Sequence, residues 1–179
     1  MKVTRDLQPK IPVKPKIDIN NYKAVKELQS GTNSSIFSVK NIKTEKFFAA
    51  KIIKNDDQDE KMQCVFNFNF NNIIDCQHPT LLKYFGYSPV DFKGNKNKTI
   101  IMDLATNCSL SSFIEKAQNG ISNRYYKNAR QIILVGIARG MMYLHKHHLL
   151  HRNLNTSNIF LDEHYRPLIA NYSLSKISK

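Results

Sequence analysis

Residues 147–176 read HHLLHRNLNTSNIFLDEHYRPLIANYSLSK, and this segment carries the most specific pattern in the chain. It contains the run His151-Arg152-Asn153-Leu154-Asn155-Thr156-Ser157-Asn158, and the triplet Asn171-Tyr172-Ser173 begins thirteen residues after Asn158. Between the two, residues 159–161 and 166–170 are mostly apolar and flank a polar turn at 162–164, which predicts a pair of short strands.

A regular apolar stripe precedes this segment. Between Tyr125 and Lys146, apolar residues and glycines recur at three- and four-residue steps, which predicts an α-helix with one buried face. The stripe consists of Ala129, Ile132, Ile133, Gly136, Ile137, Gly140, Met141 and Leu144. Such regularity is typical of a packed core face and not of a cofactor-binding motif.

The first half of the chain has strand patterns. Residues 25–28, 36–39 and 46–53 predict three strands, because turn-rich segments at 29–35 and 41–45 separate them. Residues 81–87 and 98–102 predict two more. Residues 109–116 predict a short helix, for which Ser109 is a suitable N-cap.

The segment 56–76 has two opposing patterns. Its acidic start, Asp56-Asp57, suits the N-terminus of a helix. Its centre, Phe66-Asn67-Phe68-Asn69-Phe70-Asn71, alternates with the period of two that is typical of a strand. Local physics alone leaves the choice between helix and strand open.

Three motifs resemble the protein kinase family, most closely its tyrosine-kinase-like group. They are the H-R-x-L-x-x-x-N frame at 151–158, Phe48-Ala49-Ala50-Lys51, and Gln77-His78-Pro79-Thr80-Leu81-Leu82-Lys83. The resemblance covers about residues 22–176. It implies an α+β, bilobal fold with an antiparallel β small lobe and the first, mostly helical part of a large lobe. It also makes 56–76 the helix of the small lobe and 103–108 the hinge.

The resemblance implies the following organisation. Residues 1–20 would form a Pro- and Lys-rich tail with no core of its own. Residues 21–179 would form the kinase-like domain, with 21–104 as the small lobe and 105–179 as an incomplete large lobe. We expect a domain that is truncated after the 171–173 triplet, as a truncated gene product or a fragment of a longer protein would be. The apolar face of its 125–146 helix would then be exposed, which would indicate a partner, a second chain or poor solubility.

The family's small-lobe phosphate contacts map onto Gly31 and Lys51. Lys51 occupies the position of the lysine that reaches the nucleotide phosphates. The glycine loop keeps only Gly31, since the other two glycine positions hold Gln29 and Ser34. The glutamate that pairs with the lysine maps to Asn69, and an amide cannot form that ion pair.

The family's catalytic and metal-binding positions hold amides. The catalytic base position is Asn153 and the catalytic-loop lysine position is Asn155. The two metal-ligand positions are Asn158, which the family shares, and Asn171, which replaces an aspartate. A neutral amide is no general base, and Mg²⁺ prefers carboxylates. The resemblance therefore implies a degenerate, pseudokinase-type site with doubtful Mg²⁺ binding.

The implied adenine site is apolar. Ile36 and Ala49 would cover one face of the base, Phe160 the other, and Met102 would stand at the back. Hinge residues Asp103 and Ala105 would complete it, so weak ATP binding is expected. Phe160 has two readings, ordinary packing or a ring that partly fills the adenine slot in place of nucleotide.

The net charge and the cysteine spacing limit the classes of partner and the cellular compartment that the sequence suggests. The chain carries a net charge of +13, and residues 1–54 contain 12 Lys or Arg against 4 Asp or Glu. A basic surface can attract nucleic acid, acidic proteins or anionic lipid, although a solvated lysine-rich face is the commoner meaning. Cys64, Cys76 and Cys108 are widely spaced, which argues against a disulfide framework and favours a reducing, cytoplasmic setting. No apolar run long enough for a membrane span occurs.

Three functions compete at this stage. The first is an impaired kinase-like domain that acts in signalling through protein contacts and retains residual ATP binding. The second is an active but unorthodox ATP-dependent Ser/Thr protein kinase. The third is a basic nucleic-acid- or lipid-binding module on a kinase scaffold, whose binding would weaken steeply with salt.

Overall fold

The computed structural model describes residues 16–54, 60–118 and 124–172, apart from the side chains of 60–65 and 124–128. Its main sheet has five antiparallel strands in the order β1-β2-β3-β5-β4. The strands are β1 (Tyr22–Ser30), β2 (Ser34–Asn41), β3 (Phe47–Ile53), β4 (Tyr84–Ser88) and β5 (Thr99–Met102). All five predicted small-lobe strands are present, with ends shifted by a few residues.

The register of β3 places its functional residues. Ala49 pairs with Met102 and Lys51 with Ile100 across the β3–β5 ladder. Because side chains alternate along a strand, Ala49 and Lys51 project from the same face of the sheet. One apolar residue of the predicted adenine site, Ala49, is therefore carried on the same strand as Lys51.

Helix α1 (Glu60–Ile74) resolves the ambiguous segment. Phe66, Phe70 and Ile73 are fully buried at helical spacing, whereas Phe68 is 54% exposed. The period-two pattern of phenylalanines therefore does not mark a strand, because only the pair four residues apart faces the core. Phe66 and Phe70 both meet the ring of Tyr87 edge-on, and this aromatic packing overrides the poor helix propensity of asparagine.

The large lobe begins with helices α2 (Leu110–Gln118) and α3 (Arg124–Lys146). The Ser109 Oγ accepts a hydrogen bond from Ser112 N at 3.3 Å, so the predicted N-cap is confirmed. Two short strands, β6 (Ile159–Leu161) and β7 (Pro167–Ile169), pair antiparallel as expected. The α+β, bilobal architecture predicted from the sequence is thus the observed one.

The predicted apolar stripe of α3 is only partly buried. Ala129, Ile133 and Leu144 are in the core, and Gly136 and Gly140 lie against Pro167 and Ile169. Ile132, in contrast, is 45% exposed, so its assignment to the core face was wrong. Leu134, Val135 and Met142 are exposed as well.

Backbone hydrogen bonds tie the two lobes together. Leu82 N donates to Ile169 O and Ile169 N donates to Thr80 O, both at 2.9 Å. The segment before β4 thereby pairs with β7, and a shared core forms around Tyr84, Leu144 and Tyr172. This pairing fixes the position of residues 170–172 relative to β3.

The last residues of the predicted tail pack on the small lobe. Ile17 N donates to Tyr87 O at 2.8 Å, and Ile19 is buried against the outer face of the sheet. Residues 16–20 therefore contribute to a core that the sequence did not assign to them. The rest of the predicted tail, residues 1–15, lies outside the described residues.

Candidate functional site

A cleft of about 740 Å³ lies between the β-sheet and the hinge. Six residues predicted to form the adenine site line this one cavity: Ile36, Ala49, Met102, Asp103, Ala105 and Phe160. Leu28 and Leu82, which the sequence did not single out, add to its apolar wall. A volume of this size with a mainly apolar lining is typical of small-molecule pockets.

Phe160 is a wall of this cleft. Its strand β6 is anchored to the hinge, since Leu161 N donates to Cys108 O at 3.0 Å. The ring packs against the apolar core and leaves the cavity open beside it. This placement favours ordinary packing over a ring that occupies the adenine slot.

A group of serine residues after the hinge lines the cleft, and their hydroxyls contact one another. Ser109 Oγ and Ser111 Oγ are 2.8 Å apart, and Ser157 Oγ lies 3.5 Å from Ser111 Oγ. The sequence reading used Ser109 only as a helix cap and missed the group. The sequence feature that could have predicted this group is the run Ser109-Leu110-Ser111-Ser112, which directly follows the hinge.

Lys51 lies two residues along β3 from Ala49, a residue of the cleft wall, and contacts Asn171. Lys51 Nζ donates to Asn171 Oδ1 at 3.0 Å, although 120 residues separate the two in sequence. Burial lowers the pKa of the Lys51 ammonium. Because the partner is an amide, no negative charge at Asn171 compensates this desolvation.

Asn171 begins a chain of amides that reaches the catalytic loop. Asn171 Nδ2 donates to Asn158 Oδ1 at 2.8 Å, and Asn158 Nδ2 donates to Asn153 O at 2.8 Å. Asn155 Nδ2 then donates to Asn153 Oδ1 at 3.0 Å. The structure thus brings together Lys51 and the four asparagines at the predicted catalytic and metal-binding positions.

The catalytic loop is held in place by its own side chains. Asn155 Oδ1 accepts hydrogen bonds from Ser157 N at 2.9 Å and Asn158 N at 3.0 Å, which caps a single 3₁₀ turn over Thr156–Asn158. Asn158 O accepts from Ala170 N at 2.8 Å. The asparagine at position 155 therefore has a local structural function whatever its chemical one.

Two buried tyrosines, Tyr84 and Tyr172, fix the backbone around Asn171. Tyr84 was not identified from the sequence. Tyr84 Oη accepts a hydrogen bond from Asn171 N at 2.9 Å, and Tyr172 Oη donates to Leu82 O at 3.0 Å. The rings meet edge-on with centroids 5.4 Å apart. Burial raises the pKa of both phenols, so they remain neutral hydrogen-bonding groups.

Gly31 and Asn69 lie outside the amide chain. Gly31 N donates to Ser34 O at 2.9 Å, and Gly31 O accepts from Lys54 Nζ at 2.9 Å. Asn69 is buried and lines a second cavity of about 470 Å³ with Tyr143 and Arg152. Lys51 donates its hydrogen bond to Asn171. Among the described residues, no hydrogen bond joins Lys51 to Asn69, the position of the glutamate that pairs with this lysine in the family.

The cleft has apolar walls that can hold a base, and the nearby Lys51 ammonium can hold phosphate. In the parts of the chain that the structure describes, no three His, Cys, Asp or Glu side chains are grouped to hold a metal.

Over the same residues, no helix combines the length and hydrophobicity needed to span a membrane.

Comparison with known proteins agrees with this geometry. The model of the protein kinase domain family matches residues 22–179. Cysteine-rich receptor-like protein kinase 26 of Arabidopsis thaliana is 31% identical over 136 residues, which are 74% of this chain and 19% of that protein. A G-type lectin S-receptor-like serine/threonine-protein kinase of the same plant is 33% identical over 108 residues, 59% of this chain and 12% of that protein.

A third relative, cysteine-rich receptor-like protein kinase 44 of Arabidopsis thaliana, is 32% identical over 104 residues, 56% of this chain and 26% of that protein. The chain thus spans about a quarter or less of the length of these relatives. The family match extends over both lobes and contains the whole amide chain. The protein belongs to the protein kinase family.

Proposed function

We propose that this chain is a kinase-like domain with impaired phosphoryl transfer, which acts in cytoplasmic signalling through protein contacts and keeps a nucleotide cleft. One observation carries the proposal. Asn171, Asn158 and Asn153 form a continuous hydrogen-bonded chain of neutral amides at the positions where the family places its reactive groups. Phosphoryl transfer depends on positioning and charge compensation, and here the positions are kept without the charges.

The base position supports impairment most directly. Asn153 replaces the family's aspartate, and its Oδ1 accepts from Asn155 Nδ2 at 3.0 Å. An amide oxygen does not accept a proton at neutral pH. Loss of a positioned general base costs roughly 10²- to 10⁴-fold in rate, and the missing lysine at position 155 removes a further charge from the transition state.

The cleft supports retained ATP binding. Ile36, Ala49, Met102 and Phe160 would enclose the base, and Lys51 would contact phosphate oxygens. When bound, ATP would supply a phosphoryl group that this site is poorly equipped to transfer. A domain that binds ATP without transferring its phosphoryl group efficiently could still act in signalling through contacts with other proteins.

A transfer assay tests the proposal. The purified chain is incubated with ATP labelled on its γ-phosphate, divalent metal, and peptides that contain Ser, Thr or Tyr. We expect incorporation no greater than that of a Lys51→Met variant. Lys46→Met is the matched control, since Lys46 is an exposed residue at the opposite end of the same hairpin.

An active Ser/Thr kinase is the second candidate. The contact between Lys51 and Asn171 favours this candidate. In the family these two positions bind phosphate and metal, and here they remain in hydrogen-bond contact. One of the similar plant proteins is named as a serine/threonine-protein kinase. Label transfer that disappears in Lys51→Met and persists in Lys46→Met would establish this second function and exclude the first.

A further inference from the structure

The nucleotide cleft has a charge balance that differs from what a metal–nucleotide complex requires. Mg²⁺ is usually held by one or two carboxylates together with substrate phosphates, in near-ideal octahedral geometry. The two positions that would serve here are Asn158 and Asn171. Neither brings a negative charge.

Both amide oxygens are already engaged. Asn158 Oδ1 accepts from Asn171 Nδ2 at 2.8 Å, and Asn171 Oδ1 accepts from Lys51 Nζ at 3.0 Å. A divalent ion at Asn171 Oδ1 would have to displace the lysine or face its positive charge at close range. The residues present therefore do not fit Mg²⁺.

The same residues do fit an anion. An ammonium group has three donors, and Lys51 directs one of them to Asn171, which leaves two for phosphate oxygens. Lys54 Nζ, which donates to the Gly31 carbonyl at 2.9 Å, adds a second positive charge at the β1–β2 turn, which follows the cleft residues Leu28 and Gln29. Among the described residues that line the cleft, Asp103 is the only acid, and it lies at the hinge.

We propose that the cleft binds the triphosphate of an adenine nucleotide as the metal-free anion, with Lys51 as its principal charged contact, and that Mg²⁺ weakens this binding. The inference rests on the proposed retention of a nucleotide cleft. Mg²⁺ offsets part of the negative charge of the triphosphate and covers oxygens that Lys51 would contact. Without a carboxylate to hold the metal, the protein recovers none of that lost attraction.

Calorimetric titration of the 179-residue chain with ATP, in EDTA and in excess Mg²⁺, tests the proposal. We expect affinity at least roughly tenfold higher in EDTA, a difference of about 1.4 kcal/mol. Adenosine, which has no phosphate, should bind equally under both conditions. Inorganic tripolyphosphate should compete with ATP in EDTA, which gives a measurement on the unaltered protein.

Two substitutions sharpen the test. Lys51→Met should abolish the advantage of EDTA, whereas Lys46→Met should keep it. Asn171→Asp restores a carboxylate at a position whose φ of 59° aspartate tolerates, and it should reverse the preference so that Mg²⁺ strengthens binding. A circular-dichroism melt of each variant separates lost binding from lost folding.

Several outcomes would overturn the inference. They are binding by the wild-type chain that requires Mg²⁺, affinity in EDTA that is unchanged by Lys51→Met, or no ATP binding under either condition. Absence of ATP binding would also refute the retained nucleotide cleft of the proposed function, whereas the other two results leave impaired transfer to the labelling assay. Label transfer, conversely, would refute the proposed function and leave the titration result standing.

Discussion

Tyr84 Oη lies 2.9 Å from the backbone nitrogen of Asn171 and accepts its hydrogen bond, so a small-lobe tyrosine holds the residue that meets Lys51. Tyr84 is 2% exposed. Removal of its hydroxyl would leave a backbone donor without this acceptor in a protein interior, which costs about 1–3 kcal/mol.

We therefore expect Tyr84→Phe to lower the free energy of unfolding by about 1–3 kcal/mol, measured by urea denaturation. Tyr165→Phe is the control, because Tyr165 is partly exposed and its ring packs on Phe113. Equal stability of Tyr84→Phe and the wild type would mean that this hydrogen bond does not organise the site.

Gly140 is required by close packing and not by backbone conformation. A Cβ at Gly140 would lie 2.6 Å from Thr80 Oγ1 and 2.7 Å from Ile169 Cδ1. Alanine gains about 1 kcal/mol over glycine in helix propensity, but overpacking costs about 1–3 kcal/mol. We expect Gly140→Ala to lower the melting temperature despite its better propensity.

A matched substitution on the same helix isolates the packing effect. Gln131 is exposed on α3, so Gln131→Ala should change the unfolding free energy by no more than about 0.5 kcal/mol. Stabilisation by Gly140→Ala would show that α3 and β7 are farther apart than the structure places them.

Sequence patterns were sufficient for the elements and insufficient for several contacts. The strands and α3 follow from periodicity, and the motifs locate Lys51 and the asparagines. The burial of Phe66 and Phe70 but not Phe68 depends on where the sheet lies, so period alone gave the wrong signal there. The exposure of Ile132 depends in the same way on which elements cover α3.

The contacts between distant residues were also out of reach. Tyr84 is 87 residues from Asn171, and no local pattern relates a strand tyrosine to that backbone N–H. The pairing of Lys51 with Asn171 in place of Asn69 depends on the position of α1 relative to β3. Both contacts arise from tertiary packing, and the spacing of residues in a single sequence does not predict which distant residues will meet.

Cys108 offers a chemical probe of the cleft. It lines the cavity and is partly exposed, whereas Cys76 is buried and burial beside Asp75 raises the pKa of its thiol to about 11. The thiolate is the reactive form. In a Cys64→Ser background, iodoacetamide should modify Cys108 at least roughly tenfold faster than Cys76.

Adenosine should protect Cys108 from alkylation and leave Cys76 unchanged, as peptide mass spectrometry would show. Protection follows because a ligand in the cleft covers the wall to which Cys108 belongs. Alkylation of Cys108 at the same rate with saturating adenosine would place the ligand elsewhere.

His151 should make stability depend on pH. It is 2% exposed, and burial lowers the pKa of its imidazole from the usual 6.5. The unfolded chain therefore takes up the proton first as pH falls, so the stabilising contribution is present above about pH 6.5 and is lost below it.

We expect the melting temperature to fall as pH decreases from about 7.5 to about 5.5, and to fall less in His151→Phe. Burial also lowers the pKa of His78, and Arg139 lowers it further, so His78→Gln is the companion variant that separates the two contributions. An identical pH profile for His151→Phe and the wild type would exclude His151 as a source of the dependence.

The most direct measurement asks whether bound ATP stays intact. The chain, in excess over radiolabelled ATP, is incubated with Mg²⁺ and peptide substrate, and samples are quenched at intervals for chromatography of the nucleotide. Our account predicts that the nucleotide is recovered as ATP, at the level seen without protein. Conversion to ADP that depends on Lys51, with label on the peptide or the chain, would contradict it.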